Sequence, residues 1–267
     1  MNDFSDAQKA SGRAGFDRLP GGARSSHDYV AQALGNDILS GVYPAGAKLP
    51  PEAEILKRFG VSRTVLREVF KTLTAKGLIV AKTRVGTTVL DSSHWNFFDA
   101  DILSWKVSQE FDLDFIRSLA EVRLAVEAAA AEGAARRRSE ADIAAMRDAL
   151  GRMDAATDSA RDFAEADLDF HEAVGRASGN VLMRSLAAVI ETALVASFRM
   201  SSPVNEAEAH RASVRGHARI VDAIEAGDGT RAAAAMREII GHGLGRIEAA
   251  AGRRGRGSGD PAQTAKS

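Results

Sequence analysis

The chain of 267 residues contains no cysteine. This absence excludes disulfide bonds, zinc sites built from thiolates and a cysteine nucleophile. It also leaves no argument for an oxidising compartment, so we expect the protein in the cytoplasm. Any metal ion that the protein binds must be held by oxygen and nitrogen ligands.

Long apolar segments are missing too. The sequence has no uncharged run of about 18 residues, the length at which a stretch becomes a candidate membrane helix. The first residues, Met1 to Gly22, are polar and lack the apolar core of a signal peptide. We therefore expect a soluble protein with no membrane contact.

A strong net charge is also absent, because 35 Lys and Arg residues face 36 Asp and Glu residues. The near-zero total hides two segments of opposite sign. Residues 21–90 contain ten basic and five acidic residues, a net charge of +5, whereas residues 91–251 contain 18 basic and 27 acidic residues, a net charge of −9. This segregation predicts a basic domain that suits a polyanion and a separate acidic domain.

The residues that are present include enough apolar side chains, 45% of the chain, for two hydrophobic cores. Their periodicity predicts a mainly α protein of two domains. The predicted segments are a disordered tail at 1–24, a first domain at 25–90, a linker at 91–112, a helical domain at 113–251 and a disordered tail at 252–267. Both tails lack apolar periodicity and cannot bury enough surface to order themselves.

The first domain has the pattern of three short helices. Apolar residues recur at every fourth position over 26–39, which predicts one helix. A second helix ends at Gly60, and Ser62 is placed to cap a third helix that runs to about Lys76. The sequence therefore predicts a helix-turn-helix at about 52–71.

One face of the third helix is cationic. Four polar side chains fall within about 100° of one another around the helix axis: these are Arg63, Thr64, Arg67 and Lys71. The face begins at the helix N-terminus, where the helix dipole and free N–H groups favour phosphate. Such a face alone is often only a solvated surface, but a wing follows it. Two short β-branched segments, 78–80 and 87–90, flank a basic hairpin tip at 82–86, and the combination predicts DNA binding.

These residues are similar to a known family. The runs LPPEAE at 49–54, FGVSRTVLRE at 59–68 and RVGT at 84–87 resemble the winged helix-turn-helix of GntR-family transcription regulators. The resemblance implies binding to double-stranded operator DNA. It implies base contacts in the major groove, above all from Arg63, and a wing in the minor groove. The implied DNA-binding residues are Arg63, Thr64, Arg67, Lys71, Thr83, Arg84 and Gly86.

The linker holds both tryptophans of the chain, Trp95 and Trp105. Because a water-exposed linker would not concentrate them, we expect an aromatic anchor that docks the first domain onto the second. Stacking on a nucleobase is the alternative. The pattern of the segment is also similar to the branch of the GntR family that contains galactonate-operon repressors.

The second domain has the pattern of an antiparallel all-α bundle. Six helical segments are predicted, at Phe115–Ala135, Glu140–Met153, Ala160–Ala177, Val181–Met200, Glu206–Ala226 and Gly229–Ala251. Within the third segment, Asp167 and His171 share a face at a spacing of i, i+4. Such a pair could hold zinc, nickel or manganese, or it could be a hydrogen-bonded pair or a buried, satisfied histidine.

The second domain also resembles a family domain, the all-helical FCD effector domain of the FadR subgroup. The resemblance implies a metal held by Asp167, His171 and His217, which match three of the four ligand positions. The fourth position is Ile239 here, and His242, one turn further along, points in a different direction. Three ligands still permit a metal when water or effector completes the shell.

The resemblance also implies that an arginine on the first long helix contacts the effector, and Arg123 matches that arginine. A guanidinium can clamp a carboxylate with two hydrogen bonds, so a small carboxylate metabolite is the expected ligand class. The alternative is an internal ion pair between Arg123 and Glu127.

Together these features predict a ligand-responsive transcription regulator that is not an enzyme. We expect a homodimeric repressor of a sugar-acid operon, for a hexonate such as galactonate, that its carboxylate effector releases from DNA. A regulator of the same family that responds to another small organic acid is the alternative. A metal-dependent helical enzyme would leave the cationic helix and the wing unexplained, and an architectural DNA protein would leave the large acidic domain unexplained.

Overall fold

The computed structural model describes residues 25–82, 86–109, 111–200 and 202–257, and it divides the chain into two compact units after Phe111. Helices dominate both units, and the described residues form one small sheet. A mainly α fold with a winged helix-turn-helix followed by a helical bundle is therefore confirmed. Among the described residues, no helix has both the length and the apolar character that crossing a membrane requires.

Three helices open the first unit: α1 (Ser26–Leu39), α2 (Glu52–Phe59) and α3 (Arg63–Ala75). Local chemistry sets their ends. Gly60 adopts the left-handed conformation that ends α2, with φ of 64°, and the Ser62 hydroxyl accepts a hydrogen bond from the Val65 N–H at 3.3 Å to cap α3. The tight turn between α2 and α3 is the one that the sequence predicts.

The wing is an antiparallel hairpin of β1 (Ile79–Lys82) and β2 (Gly86–Val89). Its register pairs Ile79 with Val89, so two buried apolar side chains lie opposite each other at the base of the hairpin. They join the core that α1, α2 and α3 form through Leu34, Ile55 and Leu73. This core holds α3 by its apolar side and leaves the opposite side to solvent.

The segment predicted as a linker contains regular structure. A 3₁₀ turn (Ser92–His94) and helix α4 (Ala100–Ser108) follow the wing. The Trp95 indole N–H donates to the Leu90 carbonyl at 3.0 Å, and Trp105 is buried in the core of the first unit. Buried Lys76 forms ion pairs with Asp99 and Asp101. Both tryptophans thus belong to the first unit, and an aromatic anchor between the two domains stays a prediction.

The second unit contains the remaining helices. They are α5 (Leu113–Arg137), α6 (Glu140–Ala155), α7 (Ala160–Ala177), α8 (Val181–Arg184), α9 (Ala187–Met200), α10 (Ala207–Ala226) and α11 (Gly229–Gly257), with a 3₁₀ turn at Pro203–Asn205. The core lies between α6, α7, α10 and α11, around Phe163, Phe170, Met146 and Ile220. One prediction was wrong: the single helix over Val181–Met200 is two helices, α8 and α9, separated at Ser185 and Leu186.

Candidate nucleic-acid interface and metal centre

The polar face of α3 is open to solvent. Four predicted DNA-binding residues are exposed and lie in the first two and a half turns of the helix: Arg63, Thr64, Arg67 and Lys71. On the other side of the helix, Leu66, Val69 and Leu73 are fully buried. On this face Lys71 forms an ion pair with Glu68 at 2.8 Å, and both side chains are more than half exposed. The structure therefore presents a cationic face at the N-terminus of a helix that its core fixes in place.

The hairpin tip is described in part. Gly86 has a φ of 101°, a conformation that residues with side chains rarely adopt, and no atom of the described residues lies within 4 Å of the position that a Cβ would occupy. Glycine is therefore suited to the first position of β2. The predicted contact residues Thr83 and Arg84 lie outside the described residues.

In the second unit, the three predicted metal ligands come together from two helices. Asp167 and His171 lie on α7 and His217 lies on α10, and each is at most 5% exposed. The Asp167 Oδ1 atom is 2.8 Å from His217 Nε2 and 3.5 Å from His171 Nε2. Each residue offers one ligand atom, and these atoms all lie within 4.8 Å of one another.

The other nitrogen of each histidine has its own partner. The Nδ1 atom of His217 is 2.8 Å from the Ser213 carbonyl oxygen, and only a protonated Nδ1 can donate there. The Nδ1 atom of His171 contacts Oε2 of Glu127. Both rings therefore turn their Nε2 atoms towards one carboxylate oxygen, the arrangement in which outer partners orient metal-binding imidazoles.

The charges of this cluster depend on one another. Burial opposes ionisation of Glu127, but the Arg123 guanidinium and the His171 imidazole outweigh it and lower the pKa of Glu127 to about 2. Burial likewise opposes the charged form of His171, while Glu127 and Asp167 raise its pKa to about 9. The two imidazoles hold the pKa of Asp167 below its ordinary value against the effect of burial. A metal ion at the Nε2 atoms would take the place of protons.

The three residues fit a divalent metal. Oδ1 of Asp167 and Nε2 of His217 are buried 2.8 Å apart, and neither atom has a hydrogen-bond partner recorded among the described residues. Two ligand atoms bound at about 2.1 Å to one ion stand roughly 3.0–3.4 Å apart, and the observed spacings of 2.8 and 3.5 Å lie close to that range. One carboxylate and two imidazoles are also a donor set that suits zinc and related ions.

A fourth protein ligand is not among the described neighbours of this cluster. Ile239 lies in the wall of the cavity beside Asp167, His171 and His217, where it presents an apolar side chain. His242 is exposed and does not join the group of three. The described residues thus offer three protein ligands to the candidate centre.

Arg123 faces the same cavity from α5. Its Nε atom donates to Oε1 of Glu127 at 2.5 Å, so the internal ion pair that the sequence offers as an alternative is present. The same Glu127 contacts His171 through its second oxygen. Arg123, Glu127 and His171 therefore form a buried chain, and an effector contact of Arg123 stays a prediction.

Comparison with known proteins identifies both units. Residues 27–89 match the bacterial regulatory proteins of the gntR family, and residues 118–242 match the FCD domain. The chain is 34% identical over 221 residues to the galactonate operon transcriptional repressor of Escherichia coli (strain K12), which covers 83% of this chain and 96% of that protein. The chain belongs to the GntR family. It is a transcription regulator, and the resemblance noted in the sequence is confirmed.

One further relative and one solved structure are also similar to this chain. The chain is 33% identical to the HTH-type transcriptional regulator YieP of Escherichia coli (strain K12), over 82% of this chain and 94% of that protein. The chain is also similar to a solved structure of Lar, which controls the expression of the Listeria monocytogenes agr system. The match covers 86% of this chain and 99% of the Lar chain, with a TM-score of 0.57. At 17% identity this likeness concerns the fold alone. The relatives are regulators, which confirms that this GntR protein is not an enzyme.

The sequence does not predict two residues in and beside this cavity of the GntR protein. Glu127 is predicted only as a partner of Arg123, yet it also contacts His171 from a different helix. Arg246, which lines the cavity from α11, is not among the predicted site residues. Its sequence signal is its spacing: it stands seven residues, about two helical turns, after Ile239 and so on the same face.

Proposed function

We propose that this GntR-family protein is a repressor that binds operator DNA in the cytoplasm and leaves it when a small carboxylate binds the helical domain. The observation that carries the DNA-binding part is the exposed cationic face at the start of α3, opposite a fully buried apolar face. Helices of this kind enter the major groove with their N-terminal residues on the bases.

In this proposal the polar residues of α3 contact different parts of the DNA. Arg63 reads a base edge through two parallel hydrogen bonds, with Thr64 and Arg67 beside it on bases or phosphate. Lys71, two turns further on, contacts the phosphate backbone. The wing residues Thr83, Arg84 and Gly86 enter the minor groove.

The test begins with selection of a preferred duplex from a random DNA library by the full-length protein. We expect Arg63→Ala to lose its preference for the selected duplex over a scrambled one by about tenfold to a hundredfold, because one bidentate base contact is worth roughly 1–3 kcal/mol. Mobility shift with both duplexes measures the ratio. Arg231→Ala, an exposed arginine of the helical unit, is the matched control.

The outcomes separate the possibilities cleanly. Selection that enriches no sequence would refute specific DNA binding by this chain. If Arg63→Ala prefers the selected duplex as strongly as wild type does, the protein is still a sequence-specific DNA-binding regulator. Arg63 is then not the residue that reads the base. An unchanged melting curve of the variant confirms that the loss is not a loss of fold.

We further propose that the protein acts as a homodimer. Two copies of α3 must reach half-sites about one helical turn apart on the same face of the duplex. The selected duplex is then expected to contain an inverted repeat, and light scattering of the protein on its own is expected to give twice the monomer mass. A monomer that protects a single half-site would contradict this assembly.

The proposed effector is a sugar acid, with a hexonate such as galactonate as the first candidate. The cavity of the second unit contains two arginines, which favours a carboxylate, and the relative at 34% identity is named for the galactonate operon. Another small organic acid is the alternative. Thermal-shift measurements with hexonates, lactate and dicarboxylates discriminate these, since a ligand of the native state raises the melting temperature and releases DNA.

We propose that Asp167, His171 and His217 hold zinc, nickel or manganese in the working protein. The ion would act as a Lewis acid that attracts an anionic ligand to the cavity. Elemental analysis of protein purified without a histidine tag is expected to find a stoichiometric metal, which His217→Ala loses. Equal and substoichiometric metal in both proteins would refute the site.

A further inference from the structure

Two arginines that line the cavity of the helical domain differ in whether their guanidinium group has an ion-pair partner. Arg123 is bound to Glu127 within the wall, so its charge is neutralised before any ligand arrives. Arg246 lines the same cavity from α11 and forms an ion pair with no carboxylate among the described residues. The two arginines are therefore not equivalent as anion-binding groups.

The Nε atom of Arg246 is buried and has no hydrogen-bond partner in the part of the chain that the structure describes. Burial lowers the pKa of this guanidinium, while the Asp167 carboxylate in the same cavity opposes the shift. An arginine keeps its proton in proteins, so a buried N–H without an acceptor is a free-energy cost to the folded state. An acceptor that enters the cavity removes that cost.

The position of Arg246 on its helix fits a ligand that reaches the candidate metal centre. Ile239 lies beside the three potential metal ligands, and Arg246 follows it by about two turns on the same face of α11. One cavity wall thus combines carboxylate and imidazole groups, an apolar side chain and a guanidinium without an ion-pair partner among the described residues. A small polar molecule with a carboxylate end matches this combination.

We propose that Arg246 is the residue that binds the carboxylate of the effector, whereas Arg123 holds Glu127 and thereby the orientation of His171. The assignment rests on the proposed function of the cavity as an effector site. The ligand class is a small monocarboxylate or dicarboxylate, held by two parallel N–H to oxygen hydrogen bonds. Arg246 is then a specificity-determining residue for acids over their uncharged counterparts.

The experiment uses the full chain and a panel of D-galactonate, D-gluconate, L-lactate, succinate and citrate, from which calorimetry selects the acid that binds wild type best. We expect Arg246→Ala to weaken binding of that acid about 10- to 100-fold, the loss of a charge-assisted pair of hydrogen bonds. Arg246→Lys is expected to recover part of the affinity. Arg237→Ala, an exposed arginine on the same helix, is the matched control.

A second readout separates recognition of charge from a loss of structure. The wild type is expected to prefer the acid to its primary amide, and Arg246→Ala is expected to bind both alike. The melting temperature and metal content of the unliganded variant are expected to stay at wild-type values or above, because the variant removes an unsatisfied buried group. Arg246→Gln keeps most of the volume and gives the same comparison if the alanine variant does not fold.

The failures are distinguishable. An acid that binds wild type and Arg246→Ala with equal affinity overturns the role of Arg246 and leaves the carboxylate effector intact. A wild type that binds no acid of the panel overturns the carboxylate effector itself, and Arg246 with it. A variant that loses affinity for the acid and its amide equally assigns Arg246 a structural role.

Discussion

At the scale of single residues, Ile239 decides how many protein groups surround the candidate metal centre. It packs so closely on α10 that a Cβ at Gly216 would overlap its side chain. Its branched chain therefore occupies the side of the cavity from which the FCD resemblance leads one to expect an imidazole. Three potential protein ligands remain among the described residues, the number that in metal sites leaves a position for an exchangeable group.

We expect Ile239→His to add a fourth ligand and to raise metal affinity. The gain should exceed the ~10- to 100-fold changes typical of substitutions in the outer shell, because a bond to the ion itself is added. Competition of the purified protein with a chromogenic zinc chelator measures it. Ile239→Leu, which conserves volume but offers no ligand, is the control, and equal behaviour of the two variants would place residue 239 outside the coordination sphere.

The residues of this candidate site differ in whether the sequence alone could place them in it. Asp167 and His171 share one helix, so their spacing alone places them on one face. His217 lies on α10, and only the family resemblance connects it with them. Glu127 contacts His171 because α5 packs on α7, and Arg246 lines the cavity on α11, which packs on α5 and α10. Spacing places Arg246 on a face of its helix, but the contacts between these helices are not encoded by a local pattern.

At the scale of elements, α1 and α4 pack through a glycine. A Cβ at Gly35 would overlap the six-membered ring of Trp105, so the two helices approach each other as closely as they do because this position has no side chain. The contact fixes the segment after the wing to the first helix. Gln109 adds a hydrogen bond from its side chain to the Asn36 carbonyl oxygen at 3.2 Å.

We expect Gly35→Ala to destabilise the first unit by about 1–3 kcal/mol, the usual cost of overpacking a core. Gly151→Ala is the matched control, since Gly151 is also in the middle of a helix but has open space around it, and it is expected to stabilise by roughly 0.5–1 kcal/mol. Hydrogen exchange of residues 26–39 and 140–155 measures each effect locally. Unchanged protection in α1 of the first variant would show that α4 moves aside without cost.

Element boundaries follow local chemistry where caps define them. Ser62 and Ser139 each accept a hydrogen bond from a backbone N–H in the first turn of the next helix, and both starts were predictable from sequence. The break between α8 and α9 has no such signal. It contains neither glycine nor proline, and the apolar pattern continues through Leu186. No helix-breaking residue marks the end of α8, so sequence periodicity alone predicted one long helix.

At the scale of the whole molecule, charge is divided between the two units in the way that the sequence predicts. The basic residues 21–90 belong to the unit with the exposed face of α3, and most of the acidic residues 91–251 belong to the helical unit. A duplex is therefore attracted to one unit and repelled by the other. Association with DNA is accordingly expected to weaken steeply with salt.

We expect Lys71→Ala to weaken binding to every duplex alike and to reduce the slope of log K against log salt by about 0.9, the value for one phosphate contact. The reason is that Lys71 is 74% exposed and lies two turns from the base-reading end of α3. Affinity measured on the selected and scrambled duplexes at several salt concentrations gives both quantities. Arg231→Ala should leave the slope unchanged, and a Lys71→Ala slope equal to that of wild type would remove Lys71 from the phosphate contacts.

The placement of the aromatic residues has an optical consequence. Both tryptophans, Trp95 and Trp105, and both tyrosines, Tyr29 and Tyr43, precede residue 112, so the helical unit contains no fluorophore except phenylalanine. Intrinsic emission of the unlabelled protein therefore comes from the DNA-binding unit alone. If adding a small acid changes that emission, then binding of the acid to the helical unit has altered the surroundings of the tryptophans or tyrosines in the DNA-binding unit. No engineered probe is needed for this measurement.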